Sequence, residues 1–196
     1  MSRKIIALAG YRSTGKSKIS DFLCEKRGFK SVHPFGVWKI GLKAMYEAIG
    51  IPPGEAEEMV YGSLKDTPHK ELPNGHDSRF LMEKLGNFTG TELGPDWTLR
   101  LALKEMDRLY PEDDLVIESI VYEADIIRDF GGHIVMVERP GTGDFTLETD
   151  RATQFIAPDS RFLNDGQDLS VLHADFDQHM ARHGLHRSPD TELMIS

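Results

Sequence analysis

Cysteine is nearly missing from this sequence: Cys24 stands alone in 196 residues. A single thiol excludes an internal disulfide framework and any multi-thiolate metal site, and it suits a reducing cytoplasm. Long apolar runs are missing too. The longest, 5–9 and 134–137, fall far short of the roughly 20 residues that span a bilayer, so no membrane partner is expected. Met-Ser-Arg-Lys leads directly into the first of these runs, so no signal peptide is expected. Positive charge is in deficit, with 23 Lys+Arg against 32 Asp+Glu and a net charge of −9. That balance argues against a surface that grips duplex DNA through counterion release. There is no internal repeat, heptad or low-complexity tract.

What remains is the pattern of an α/β chain. Residues 4–9 form a short apolar run that ends at Gly10, the mark of a buried strand. Residues 16–26 then put Ile19, Phe22 and Leu23 on one helical face. A second strand is expected over 29–35. After it, Val37, Ile40, Ala44, Met45 and Ala48 have helical spacing. Prolines and glycines punctuate 51–78, which predicts loops around a short helix near 55–61. Asp77 is a candidate N-cap for a helix through Leu85. Pro95-Asp96 opens a helix with Leu99, Leu103, Met106 and Tyr110 on one face, and Trp97 is expected in the core. Further strands are expected at 115–117, 133–137 and 161–163. A helix over 122–130 stops at Gly131-Gly132, and Leu169, Leu172, Phe176 and Met180 mark a last one before a frayed tail from Arg187. Alternating strands and helices predict a mainly parallel sheet covered on both faces.

The strongest motif is Gly10-Tyr11-Arg12-Ser13-Thr14-Gly15-Lys16-Ser17, a full G-x-x-x-x-G-K-[ST] between a strand and a helix. Its glycines let backbone N–H groups turn inward around phosphate oxygens, and the helix N-terminus adds positive potential. Lys16 is expected to reach the β- and γ-phosphates of ATP, and Ser17 to hold Mg²⁺. Arg12 points either to solvent or to the phosphates. A guanine-reading Asn-Lys-x-Asp is missing, and so is the long strand ending in Asp-Glu that a motor ATPase needs. A compact kinase remains.

Other stretches, in order, carry a resemblance. Phe35-Gly36-x-x-Lys39 is followed by Tyr61-Gly62-x-Leu64-Lys65-Asp66-x-Pro68 and by Arg79-x-Leu81-Met82-Glu83-x-Leu85-Gly86. Then come Gly90-Thr91-Glu92, Gly94-Pro95-Asp96-Trp97 with Arg100, and Glu123-Ala124-x-x-Ile127-Arg128-x-x-Gly131-Gly132. Val137-x-Arg139-Pro140-Gly141 and Asn164-Asp165-Gly166 complete the set. Together they resemble the bacteriophage deoxynucleoside monophosphate kinases, a branch of the P-loop nucleotide kinases. The resemblance implies a three-layer P-loop NTPase fold in one domain over 1–196, with a helical acceptor-binding and lid insertion over 51–100. It implies Arg79, Glu83 and Arg100 on the acceptor, Asn164 on the nucleotide, a possible homodimer, and the host cytoplasm as location. Two positions depart from the family. Its strand-end Asp-Val-Arg-Phe is replaced by Glu118-Ser119-Ile120-Val121-Tyr122, with Val121 at the Arg position, and its Gln is Glu83.

Glu118, at a strand end, can orient a Mg²⁺-bound water or accept a proton from an acceptor hydroxyl. Arg139 lies after a strand, at the carboxyl edge where open α/β sheets bind ligands, and is expected on phosphate. The expected reaction is phosphoryl transfer from ATP to a deoxynucleoside monophosphate. Two alternatives stay open. The acceptor is a hydroxyl, such as a hydroxymethylpyrimidine in phage DNA or its nucleotide, or the chain is an inactive nucleotide-binding module. His179 and His183 are four apart, but no Glu stands between them as in zinc hydrolases, so they are expected on a solvated face. Cys24 is expected to serve packing.

Overall fold

The computed structural model describes residues 3–143, 148–166 and 168–186; the expected tail from Arg187 lies outside the described residues. Its frame is a parallel sheet of β1 (Ile5–Ala9), β2 (Lys30–Val32), β3 (Leu115–Ile117), β4 (His133–Glu138) and β5 (Ser160–Leu163), in the order β2-β3-β1-β4-β5. β1 is central: Ala7 is level with Ile117 on one side and Ile134 on the other. All five β1 residues are buried, as a strand covered on both faces requires. β2 is shorter than the expected 29–35, because Pro34 has no N–H to extend the ladder and the next helix begins at Gly36.

The helices are α1 (Lys16–Arg27), α2 (Gly36–Ala48), α3 (Pro53–Val60), α4 (Ser78–Phe88), α5 (Pro95–Leu109), α6 (Ala124–Asp129), α7 (Glu148–Thr153) and α8 (Leu169–Arg182). The chain divides into two compact units, 1–34 with 103–196, and Phe35–Ala102. In the first, Ile19, Phe22 and Leu23 of α1 and Leu172, Phe176 and Met180 of α8 pack with Ile6, Leu8, Val116, Val135 and Val137 of the sheet. This is the helix-covered α/β sheet that the alternation of elements predicts. α1 ends at Gly28, whose left-handed φ of 73° lets its N–H reach the Leu23 carbonyl.

The second unit has its own core of Leu42, Tyr46, Ile51, Ala56, Met59, Val60 and Leu72. The Tyr46 hydroxyl is satisfied by Ser78 Oγ at 2.9 Å. α4 starts as expected, with Asp77 accepting from the Phe80 N–H at 2.8 Å. The helix expected from the spacing of Val37, Ile40, Ala44, Met45 and Ala48 forms as α2, while two other expectations, at Trp97 and His179, fail. α2 buries Leu42 and Tyr46, while Ile40 is 65% exposed and Val37, Ala44 and Met45 are exposed too. The apolar residues whose spacing predicts this helix therefore lie on its outer face. Trp97 is half exposed beside Trp38 rather than buried. His179 is 3% exposed rather than solvated, and its Nε2 shares Ser160 Oγ with His133 Nε2 at 3.0 and 2.8 Å. α7 has no apolar period and was not anticipated. Among the described residues no helix is long and apolar enough to cross a membrane.

Candidate phosphate-binding site

The loop 10–17 leaves the carboxyl end of the central strand and turns into α1. Two positions tolerate only glycine. At Gly10 φ is +140°, and a Cβ would stand 2.3 Å from the Val137 carbonyl oxygen of β4. At Gly15 φ is +103°, and a Cβ would stand 2.6 Å from Asn164 Nδ2. Ser13 also holds a left-handed φ of 63°. Thr14 is fully buried and donates to the Tyr11 carbonyl at 3.0 Å, so its side chain shapes the loop from inside.

Lys16 Nζ donates to the Gly10 and Tyr11 carbonyls at 2.8 and 2.6 Å. Burial lowers its pKa to about 8, against the opposing fields of Asp150 and Glu118. Two carboxylates therefore act on the loop lysine. Glu118 follows β3 and accepts from Ser31 Oγ at 2.9 Å. Asp150, on α7, lies 3.9 Å from Arg12 Nε and is 5% exposed. Sequence reasoning missed Asp150; no motif surrounds it, and only the fold brings it to the loop. Ser17 is exposed on the first turn of α1.

Residues after β4 and β5 close on the same loop. Arg139 Nη1 is 3.4 Å from the Ser13 carbonyl, and Gly166 packs against the Arg139 guanidinium. Gly143 packs on the Tyr11 ring. Asn164 is buried; its amide donates to the Thr14 carbonyl at 2.8 Å and accepts from the Gly166 N–H at 3.1 Å. Its side chain thus braces the loop. After β3, Glu123 is a buried carboxyl whose pKa burial pushes up, while the N–H groups of Val121 and Tyr122 donate to it at 2.8 and 2.9 Å.

The candidate acceptor residues belong to the other unit. Arg79 on α4 grips both oxygens of Asp66, with Nη2 to Oδ2 at 2.9 Å, and that pairing raises its pKa. Glu83 is one turn further along α4. Arg100 on α5 donates to Asp96 at 2.8 Å. Among the described residues no group of three or more His, Cys, Asp or Glu is placed to hold a metal ion.

The sheet order and the glycine-built loop define a P-loop α/β fold. No protein-family model matches the chain. Over 154 residues it is 23% identical to a protein of Acanthamoeba polyphaga mimivirus provisionally named a deoxynucleotide monophosphate kinase, covering 70% of this chain and 75% of that one. Similar solved structures include TT1252 from Thermus thermophilus, at a TM-score of 0.49 and 15% identity over 93% of this chain and 98% of that one. Dephospho-CoA kinase from Campylobacter jejuni aligns at a TM-score of 0.45 and 14% identity, over 93% and 98%. The fold rests on the sheet and the loop, not on these likenesses.

Proposed function

We propose that this chain is an ATP-dependent kinase that transfers the γ-phosphoryl group to a deoxynucleoside monophosphate. The observation that carries it is the complete phosphate loop on the central strand, with the Lys16 ammonium held at its mouth. Support for the acceptor comes from the provisional name of the mimivirus relative and from the ordered motif resemblance. In this reading an acceptor phosphate oxygen attacks the γ-phosphorus as the bond to the β-bridging oxygen breaks, leaving ADP. Lys16 and Arg139 offset charge on the phosphoryl oxygens. Ser17 and Glu118 would supply hard oxygen donors of the kind that suit Mg²⁺, which when bound would neutralise phosphate charge. Arg79 and Arg100 would hold the acceptor phosphate, with Glu83 beside them.

A second reading is favoured by Glu118, a carboxylate at the strand end where a hydroxyl acceptor needs its proton taken. Incubating the protein with γ-labelled ATP and a panel of nucleoside monophosphates, nucleosides and hydroxymethylated DNA tests both. Label in a nucleoside diphosphate is the expected result. Transfer that is abolished by Glu118→Gln and insensitive to Arg79→Ala would replace the monophosphate with an alcohol acceptor. Turnover of none of them would leave a binding module.

A further inference from the structure

Asp150 has no role in the chemistry above, yet it is a buried carboxylate set against the phosphate loop. It reaches Arg12 from α7, and its field falls on Lys16. Those two cations belong to the cradle that nucleotide phosphates would enter. Lys16 meanwhile is folded back on its own loop carbonyls. Arg139 and Gly143, just after β4, lie on the same loop, at Ser13 and at Tyr11.

We propose that Asp150 is an internal anion that competes with nucleotide phosphate for Arg12 and Lys16. The inference rests on nucleotide binding at this loop but not on the identity of the acceptor. A polyphosphate drawn to Arg12 and Lys16 brings several negative charges towards a carboxylate shielded from water, where like-charge repulsion is strong. The Arg12–Asp150 pair must open as the phosphates arrive. After transfer the diphosphate carries less charge, and the carboxylate returning to Arg12 helps expel it. Asp150 therefore acts on affinity and release, through the loop cations, and not on the reacting atoms.

The test is the nearly isosteric Asp150→Asn, with calorimetric binding of tripolyphosphate, ADP and ATP without magnesium. Each anion should bind more tightly, by a factor on the order of ten or more for tripolyphosphate. Asp150→Glu, which keeps the charge, should not reproduce the gain. In a double-mutant cycle with Arg12→Gln the gain should shrink. In turnover, Asp150→Asn should lower both the KM for ATP and kcat, because release slows. Unchanged or weaker anion binding by Asp150→Asn overturns the proposal. A loss seen only with magnesium, and no gain without it, overturns it in favour of a metal-holding role. In the unmutated chain, the Arg12 Nε–Hε resonance should move on adding tripolyphosphate; if it stays fixed the proposal fails, whether or not the variants fold. Anion binding without any phosphoryl transfer would refute the kinase reading and leave this one standing.

Discussion

The central candidate cation of each unit, Lys16 in one and Arg79 in the other, is held differently. In the sheet-bearing unit, Lys16 rests on two neutral backbone carbonyls in a loop shaped by Gly10 and Gly15. In Phe35–Ala102, Arg79 is gripped by both oxygens of Asp66, and Arg100 lies on Asp96. A phosphate can displace a carbonyl from an ammonium at small cost. It must outcompete a carboxylate to reach Arg79. Around Lys16 the backbone sets the site; around Arg79 the partner is a carboxylate side chain.

Gly10→Ala attacks the preset site hardest. The new methyl meets the backbone of β4 at a φ that L-residues avoid, so a loss of about 4 kcal/mol is expected in denaturant unfolding. The same unit should be acid-sensitive. Burial, His183, Arg182 and His133 lower the pKa of His179 to about 4. The unfolded chain, at about 6.5, takes up that proton first. Stability is then complete above that value and lost as the pH falls towards 4, by on the order of 3 kcal/mol. His179→Gln should flatten the pH dependence of the melting temperature. Lys16→Ala should lower kcat/KM about a hundredfold or more with little change in stability.

The side-chain site predicts smaller and partner-dependent effects. Arg79→Ala should raise the acceptor KM about tenfold and leave the ATP KM nearly unchanged. Asp66→Asn should lower the acceptor KM, because it releases Arg79. If it does not, the contrast between the two units fails. The smallest effect expected is at the outer face of α2. Ile40→Ala should change stability by less than about 0.5 kcal/mol, against about 3 kcal/mol for Leu42→Ala, in the same urea titration.

This contrast also marks what a sequence displays. Strands buried on both faces, such as 5–9 and 115–117, read as unbroken apolar runs, and a glycine-built loop reads as a motif because its backbone admits few residues. In α2 the apolar period announced the helix, but its outer face is as apolar as its inner one, so the period does not say which stripe is buried. Trp97 and His179 were misplaced because burial of single side chains depends on neighbours distant in sequence. α7 is too short to show a period. Asp150 meets Arg12 across 138 positions, a pairing that spacing along a chain does not encode. Arg79 was legible as a cation, but its Asp66 clamp was not.

Cys24 gives this protein a clock of its own. The thiol lies in the third turn of the helix that begins with Lys16 and Ser17, half-buried against the sheet core. Burial raises its pKa, so it reacts slowly while α1 stays docked. As the sole cysteine in the sequence, it makes labelling by a water-soluble disulfide reagent a signal from one place. The rate of that labelling times the opening of the helix that ends the phosphate loop, with no engineered probe. A nucleotide that settles on the loop's N–H groups stiffens the same helix, and the thiol should answer by falling silent.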